Sequence, residues 1–158
     1  MGEAPRGDLR LTYRLMGELS RLMIPQAQSP RPADHLYQHT CCELFVMQGD
    51  GPAYHEFNFS PSREWAVHAF RGYRDGGPLQ MELDPGIELR ESRDRVELST
   101  EIRRDCLLQP GPLRLGLSVV VEDVDGELSY WALRHPPGKP DFHHRDAFAL
   151  QLGAIPDV

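Results

Sequence analysis

Apolar and polar residues alternate with a period of two along much of this chain. Residues 9–15 and 95–102 show the clearest alternation. A period of two places successive side chains on opposite faces of an extended strand, so each stretch predicts a strand with one buried face. Residues 36–47 are largely apolar at both sets of positions, which indicates a strand in the centre of a sheet. Residues 113–121 are rich in β-branched and aliphatic residues and predict another strand.

Turn residues divide the rest of the chain into further short strands. Clusters of Gly, Pro, Asp and Ser break the pattern after residues 47, 59, 109 and 122. Residues 19–24 have partly helical spacing, but Gly17 and the strand before it favour a strand pair. We count about nine strands and no helix, which predicts an all-β antiparallel β-sandwich or jelly roll. The remaining predicted strands are 54–59, 65–73, a short edge strand at 81–83, 130–133 and 147–152.

The length of 158 residues suits one domain with one core. The composition is that of an ordinary globular protein, with 40% hydrophobic and 26% charged residues. No internal repeat or linker divides the chain. We therefore predict a single domain over residues 9–152, with residues 1–8 and 153–158 as flexible termini.

Charge and cysteine content narrow the function classes. A net charge of −7 argues against nucleic acid as the main partner, because phosphate binding depends on clustered Lys and Arg. No run of about 18 apolar residues is present, so no membrane span is expected. An odd number of cysteines (Cys41, Cys42 and Cys106) suits free thiols in a reducing compartment. With no export signal visible, we expect the protein in the cytoplasm.

The last quarter of the chain holds a rigid polar loop between two predicted strands, within residues 128–150. Pro136, Pro137, Gly138 and Pro140 restrict this loop, so it loses little entropy when a ligand binds. Its charged and imidazole side chains could orient a small polar ligand. The loop residues predicted to contact a ligand are Arg134, His135, Lys139, Asp141 and His143.

Aromatic side chains are candidates for a stacking platform. Trp65, Tyr73 or Trp131 could lie against a sugar ring, whose faces present C–H groups. Ordinary core packing is the alternative for either tryptophan. Arg71, inside a predicted strand, could bind hydroxyl or carboxylate groups in a bidentate manner, with a surface ion pair as the alternative.

Three polar residues fall on the neighbouring strands predicted at 36–47 and 54–59. Glu56 and Asn58 are two positions apart and share a face, and Glu43 lies on the preceding strand. Their oxygens could bind a ligand or help to hold Ca²⁺. The alternative is an ordinary solvent-exposed face.

Enzyme and metal motifs are not found. The sequence has no nucleophile elbow, phosphate loop or dinucleotide fingerprint, so we expect no catalytic residues. A Cys41 or Cys42 nucleophile would need a histidine partner, and cysteines within an apolar strand are usually buried and inert. No Cys-x-x-Cys or His-Glu-x-x-His pattern marks a transition-metal site.

The order of motifs resembles that of DOMON-like domains, relatives of the family 9 carbohydrate-binding modules. The motifs lie in residues 36–46, 54–66 and 128–150, and the likeness covers most of the chain after residue 9. The resemblance implies a β-sandwich with a ligand site on one sheet or at its rim and no enzymatic activity. The superfamily contains both sugar binders and haem binders. A haem site would need axial ligands, for which Met47, His143 and Lys139 are available.

These observations predict a non-catalytic module that binds a small polar ligand, most simply a saccharide or a sugar-containing metabolite. Two alternatives remain open. One is a protein-interaction module, with a homodimer as one form. The other is a haem-binding DOMON-like domain. No cofactor is expected, with Ca²⁺ and haem kept as alternatives, and neither nucleic acid nor a membrane is an expected partner.

Overall fold

The computed structural model describes residues 2–3, 8–107 and 111–153. Within these residues, twelve β-strands carry the fold, and the remaining regular structure consists of four 3₁₀ turns. The described part of the chain contains no long apolar helix of the kind that crosses a bilayer. In chain order the strands are β1 (Gly2–Glu3), β2 (Leu9–Met16), β3 (Arg31–Pro32), β4 (Cys41–Gln48), β5 (Tyr54–Phe59), β6 (Glu64–Gly72), β7 (Asp75–Pro78), β8 (Glu88–Glu91), β9 (Arg95–Ile102), β10 (Leu113–Glu122), β11 (Leu128–Ala132) and β12 (Leu150–Leu152).

The strands form a smaller and a larger sheet. The smaller sheet has the order β1-β2-β9-β8. The larger sheet has the order β11-β10-β4-β5-β6-β3, with β12 beside β11 on the same edge of β10 and β7 paired with β6. All these pairings are antiparallel except that of β3 with β6. Strand β4 therefore lies inside the larger sheet, as its apolar sequence predicts.

The main core lies between the two sheets, so the predicted β-sandwich is confirmed. Strand β2 alternates buried and exposed positions, and β9 alternates buried with mostly half-buried positions. Each fully buried aliphatic or aromatic side chain contributes about 1.5–3 kcal/mol by leaving water. The buried residues that meet between the sheets include Leu9, Leu11, Tyr13, Leu98 and Ile102 from the smaller sheet and Cys42, Leu44, Val46, Phe57, Phe59, Leu113 and Leu115 from the larger.

A second apolar cluster lies on the outer face of the larger sheet, the face turned away from the smaller sheet. Residues 133–149, here called the C-terminal segment, cover part of this face. Ala147 and Phe148 of the segment pack on Phe45 and Tyr54. Gly116 on β10 permits the close approach, because a Cβ there would lie only 3.2 Å from the carbonyl oxygen of Ala147. The segment is thus part of the folded domain and forms one wall of a site.

Most predicted strands are present, but the run at 36–47 is not one continuous strand. Leu36–Gln38 forms a 3₁₀ turn, and the strand starts at Cys41. His35 precedes the turn with a φ of 60°, a left-handed conformation that changes the chain direction. The apolar pattern predicted the strand correctly but missed the local reversal before it.

The predicted second strand at 19–24 is wrong. Leu19–Arg21 is a 3₁₀ turn, and Leu22 makes only an isolated bridge with Asp123. Gly17, with a φ of 134°, ends the preceding strand in a conformation that favours glycine. The helical spacing noted in this segment was therefore the better indication.

Two further predictions need correction. Residues 81–83 form no strand, although Leu83 is buried in the main core. Pro85, which follows, has no amide hydrogen to donate to a strand ladder, and its carbonyl instead accepts the hydroxyl of Thr100 at 2.7 Å. The last strand is shorter than predicted, because residues 145–147 form a 3₁₀ turn before β12.

The predicted flexible termini fall largely outside the described residues, which omit positions 1, 4–7 and 154–158. Gly2 and Glu3 pair with β2 as a short strand. The three cysteines are buried and unpaired.

Candidate ligand-binding site

A cavity of about 550 Å³ opens on the outer face of the larger sheet. Its floor comes from β4, β5 and β10, and its walls come from β6, β11, the C-terminal segment and the 3₁₀ turn at 36–38. This volume is in the range of small-molecule sites, and we call it the central cavity. It is lined by Tyr37, Gln38, Glu43, Glu56, His68, Phe70, Arg74, Val120, Leu128, Tyr130, Pro140, Phe142 and His143.

Two glutamates form the polar floor of the central cavity. In the antiparallel pairing of β4 with β5, Glu43 is opposite Asn58 and Glu56 is opposite Phe45. The two carboxyl groups are therefore diagonal neighbours on one face of the sheet. Glu43 is only 3% exposed and Glu56 only 7%. Buried carboxyl groups of this kind are costly unless they find hydrogen-bond partners or a counter-charge.

The protein supplies few donors to this pair. The Ser118 hydroxyl donates to Glu43 Oε2 at 3.3 Å. With the Asn58 amide oriented so that its nitrogen faces the carboxyl group, that nitrogen donates to Glu56 Oε1 at 3.2 Å. The other oxygen, Glu56 Oε2, lies 3.8 Å from His143 Nε2 and 4.0 Å from His68 Nδ1, which is beyond hydrogen-bond distance.

Burial changes the protonation of both glutamates. Burial raises the pKa of Glu56 to about 7, although the Asn58 amide and the positive charge of Arg74 act in the opposite direction. Burial also raises the pKa of Glu43 well above its usual value, and the negative charge of Glu56 raises it further. At neutral pH the pair therefore keeps protons that isolated carboxyl groups would have lost.

Two histidines beside the carboxyl pair are neutral at pH 7. Burial and the positive charge of Arg74 lower the pKa of His143 to about 4. Burial lowers the pKa of His68, while Asp34 partly offsets this effect. The His143 Nδ1 atom lies 2.8 Å from the Tyr54 hydroxyl. If Nδ1 accepts that hydroxyl hydrogen, the Nε2–H group faces Glu56.

The walls of the central cavity are mainly aromatic. Phe70 stacks on Tyr54 with ring centroids 4.8 Å apart and meets the ring of His143 edge-on at 5.1 Å. On the opposite side, the rings of Tyr130 and Phe142 meet at 6.0 Å. Flat apolar faces above a polar floor suit a ligand that has both a C–H face and polar groups.

Asp141 fixes one rim of the central cavity. It accepts the Tyr73 hydroxyl, the Arg74 guanidinium at 2.9 Å and the backbone N–H of His143 at 3.1 Å. The Arg74 backbone N–H also donates to the Tyr54 hydroxyl at 3.1 Å. These contacts join the turn after β6 to the C-terminal segment, so Asp141 positions His143 over the floor.

The structure brings together only some of the residues predicted from sequence. His143 lines the central cavity, and Asp141 orients it from the rim. Tyr73 lies outside, in a neighbouring depression of about 380 Å³ that Met47 and His143 also line. Arg71 lies at the register shift between β6 and β7 and makes an exposed ion pair with Asp75.

The two tryptophans lie far from each other. Trp65 on β6 packs against the main core, whereas Trp131 on β11 is 63% exposed and lies beside Leu11 and Tyr13 of the smaller sheet. Four strand steps of about 4.8 Å separate β6 from β11, or roughly 19 Å. The tryptophans therefore do not face a common ligand ring. A contact between a ligand and either Trp65 or Trp131 alone stays a prediction.

The remaining predicted loop residues lie outside the central cavity. Arg134, His135 and Lys139 are exposed. The His135 ring lies 6.3 Å from the ring of Phe142, which does line the cavity. The role of these three residues in orienting a ligand stays a prediction.

Several cavity residues were not predicted from the sequence. His68 and Phe70 share a face with Glu56, because β5 and β6 pair in register with Glu56 opposite His68. Tyr130 faces the cavity, while its neighbour Trp131 faces the other side, as alternation along β11 requires. The sequence feature that could have pointed to this cavity is Glu43, a charged residue inside an otherwise apolar central strand.

Metal-binding geometry is not found in the described residues. Over residues 2–3, 8–107 and 111–153, no three His, Cys, Asp or Glu side chains are grouped so that they could hold a metal ion. Of the three residues proposed for haem, Met47 and His143 line the same depression, whereas Lys139 is exposed.

Comparison with known proteins gives the fold but no family. No protein-family model matches the chain, and no curated protein matches its sequence. Among solved structures, the chain is similar to a putative carbohydrate-binding protein from Bacteroides uniformis ATCC 8492. The TM-score is 0.65 at 13% sequence identity, over 92% of this chain and 72% of the other. At this identity the likeness establishes the shared β-sandwich fold.

Proposed function

We propose that the protein is a non-catalytic binding module that holds a carbohydrate or a sugar-containing metabolite in the central cavity. The observation that carries this proposal is the pairing of an aromatic wall with a buried carboxyl floor. The Phe70 face and the Tyr130–Phe142 pair lie around the floor formed by Glu43 and Glu56.

Sugar chemistry fits both surfaces. One face of a pyranose ring presents C–H groups, which pack on aromatic rings. Its edge presents hydroxyl groups, each a donor and an acceptor. An ionised carboxyl accepts such hydroxyls, and a protonated one donates to them. The raised pKa values of the floor therefore allow both kinds of contact.

Two further lines support the proposal. The Bacteroides uniformis neighbour is described as a putative carbohydrate-binding protein. The motif order along this chain also resembles that of DOMON-like domains, and we propose membership of that group. The buried free thiols support our proposal that the protein works in the cytoplasm, since disulfides are rare there.

Residues outside the central cavity would contact only a longer ligand. Arg134, His135 and Lys139 border the C-terminal segment and could meet further sugar units. Trp65, Arg71 and Tyr73 lie on or next to β6, on other parts of the surface. Trp131 lies at the opposite edge of the sheet.

A thermal-shift screen with sugars and nucleotide-sugars, followed by calorimetric titration, tests the proposal. A ligand at a hundred times its dissociation constant stabilises the folded state by about 2.7 kcal/mol, or roughly 5–10 °C for a domain of this size. Tyr130→Ala should reduce the affinity about tenfold, because it removes part of the aromatic wall. Trp131→Ala is the matched control, since it changes the adjacent side chain on the other face.

Other results would move the site or the function. If Trp131→Ala weakens binding and Tyr130→Ala does not, the ligand lies at the edge of the sandwich instead. A second result would indicate haem binding. In it, no sugar shifts the melting temperature, haemin gives a Soret band, and the double variant Met47→Ala/His143→Ala removes that band. If no ligand in the panel shifts the melting temperature, the protein-interaction alternative gains weight.

A further inference from the structure

We propose that the saccharide bound in the central cavity carries a primary ammonium group, which lies between the carboxyl groups of Glu43 and Glu56. This inference rests on the proposed function, because it names the ligand class of the same cavity.

Within the residues that the structure describes, no side chain donates a hydrogen bond to the carboxyl pair on the side that faces the cavity. Ser118 donates to one oxygen of Glu43, and Asn58 donates to one oxygen of Glu56. Among the described residues, no side chain within hydrogen-bond distance donates to Glu56 Oε2, which belongs to a side chain only 9% exposed. An ammonium group has three N–H donors and could reach both carboxyl groups at once.

Among the described residues that line the cavity, no unpaired cation balances the charge of the two carboxyl groups. Within the described lining, Arg74 is the positive side chain, and its guanidinium is already paired with Asp141 at 2.9 Å. His68 and His143 are neutral at pH 7 because burial lowers their pKa. A cationic ligand would therefore supply the missing counter-charge.

The other groups around the pair do not change this balance. Asp34 acts on His68 and adds negative charge. Burial keeps the Tyr54 hydroxyl and the Cys41 thiol protonated at neutral pH, because it raises the pKa of each. The titratable and charged groups facing the pair are Cys41 on β4, Tyr54 on β5, His68 on β6, Arg74 in the following turn, Tyr130 on β11, Tyr37 in the 3₁₀ turn, and Asp141 and His143 in the C-terminal segment.

The aromatic wall also suits a positively charged sugar. Phe70 lines the cavity on the same sheet face as Glu56, two residues after His68 on β6. A cation near an aromatic face is attracted by the negative charge density of the ring. The floor and the wall therefore both favour an amino sugar over its neutral or acidic counterparts.

Binding of an ammonium group must release protons. It favours the ionised forms of Glu43 and Glu56, which without ligand are partly protonated at neutral pH. Affinity should therefore rise from about pH 5 to about pH 7, while a neutral sugar should release fewer protons and show a weaker dependence.

Calorimetric titration of the full chain with four probes tests the inference. The probes are the disaccharides of glucosamine, N-acetylglucosamine and glucose, together with cyclohexylamine as an ammonium without a sugar. Each titration is repeated in two buffers of different ionisation enthalpy, which measures proton release. We expect the glucosamine disaccharide to bind at least about tenfold tighter than either neutral disaccharide, with protons released.

Conservative variants locate the effect. Glu56→Gln and Glu43→Gln should each remove the preference for the glucosamine disaccharide and the proton release, while the glucose disaccharide still binds. Glu101→Gln is the matched control, because it changes an exposed glutamate on the smaller sheet and should leave all four affinities unchanged. Thermal unfolding of each variant shows whether it has folded.

Each outcome decides between the inference and the function on which it rests. If the neutral disaccharides bind as tightly as the glucosamine disaccharide, the ammonium inference is overturned and the binding module stands. If cyclohexylamine binds and no disaccharide does, the saccharide is overturned as the source of the ammonium, and so is the proposed function. If none of the four probes binds, both are overturned.

Discussion

The two faces of the larger sheet use the same strands for different purposes. On β4, Cys42, Leu44 and Val46 pack against the smaller sheet, whereas Glu43 and Phe45 face the opposite side. All five side chains are buried. The inner face contributes stability through dry packing, and the outer face combines aromatic rings with carboxyl groups under the C-terminal segment.

This comparison shows that burial alone does not separate a core from a binding site. Both faces exclude water from most of their side chains. The outer face differs because it buries the carboxyl oxygens of Glu43 and Glu56, next to the ring nitrogen His68 Nδ1, which has no hydrogen-bond partner among the described residues. Such atoms reduce stability, so a face that keeps them is a candidate for function.

Removing a large side chain from the inner face should have the largest effect on stability. Phe57 is fully buried between the sheets, so Phe57→Ala should lower the free energy of unfolding by about 3–5 kcal/mol. Urea unfolding measures this loss. Phe70→Ala, on the outer face, is the matched comparison and should cost less, because Phe70 is only partly buried. Equal losses would mean that the two faces do not differ as proposed.

Neutralising the floor of the cavity should increase stability. Burial raises the pKa of Glu56 from 4.5 to about 7. The native state therefore favours the protonated form of Glu56. The contribution of this group to the free energy of unfolding is fully present below about pH 4.5 and is lost as the pH rises towards 7. Glu56→Gln removes that loss. We expect a gain on the order of 3 kcal/mol at pH 8 and little change at pH 4.

The same variant must be compared with the wild type at each pH, because His143 acts in the opposite direction. Its pKa falls from 6.5 to about 4, so its contribution to stability is present above about pH 6.5 and is lost as the pH falls. The two effects overlap and partly cancel in the wild type. A difference between Glu56→Gln and wild type that is the same at pH 4 and pH 8 would contradict the raised pKa.

Much of the fold follows from short-range patterns in the sequence. Residues 95–102 and 54–59 were predicted with the bounds that the structure has. Period-two alternation is a local property, so it also separates Glu56 and Asn58 from Phe57. The predictions for residues 19–24 and for the start of the run at 36–47 failed where Gly17 and His35 redirect the chain, and those for 81–83 and 147–149 failed at Pro85 and at a 3₁₀ turn.

The cavity could be predicted only in part, because it depends on pairing between distant strands. Glu43 and Glu56 were candidates from their own strands, but their diagonal contact requires the β4–β5 register. His68 and Phe70 lie beside them because of the register between β5 and β6. Sequence alternation cannot tell which face the C-terminal segment covers, and this explains why Tyr130 was not selected over Trp131.

Loosening the C-terminal segment should have an intermediate effect. Asp141→Ala removes the acceptor for Tyr73, Arg74 and the backbone of His143. We expect a loss of about 1–2 kcal/mol in unfolding free energy, together with faster amide hydrogen exchange over residues 141–149. Unchanged exchange in that segment would mean that Ala147 and Phe148 hold it without Asp141.

The smallest change in unfolding free energy is expected on the exposed surface of the smaller sheet. It allows the exposed carboxyl group of Glu101 to be compared with the buried one of Glu56. Glu101 pairs with Arg10 at 3.2 Å, and its side chain is 40% exposed. Glu101→Gln should change the unfolding free energy by less than about 1 kcal/mol, since exposed ion pairs contribute little. Glu56→Gln makes the same chemical change at a residue that is only 7% exposed. A large loss in Glu101→Gln would show that surface charge, rather than burial, controls how carboxyl groups affect stability in this protein.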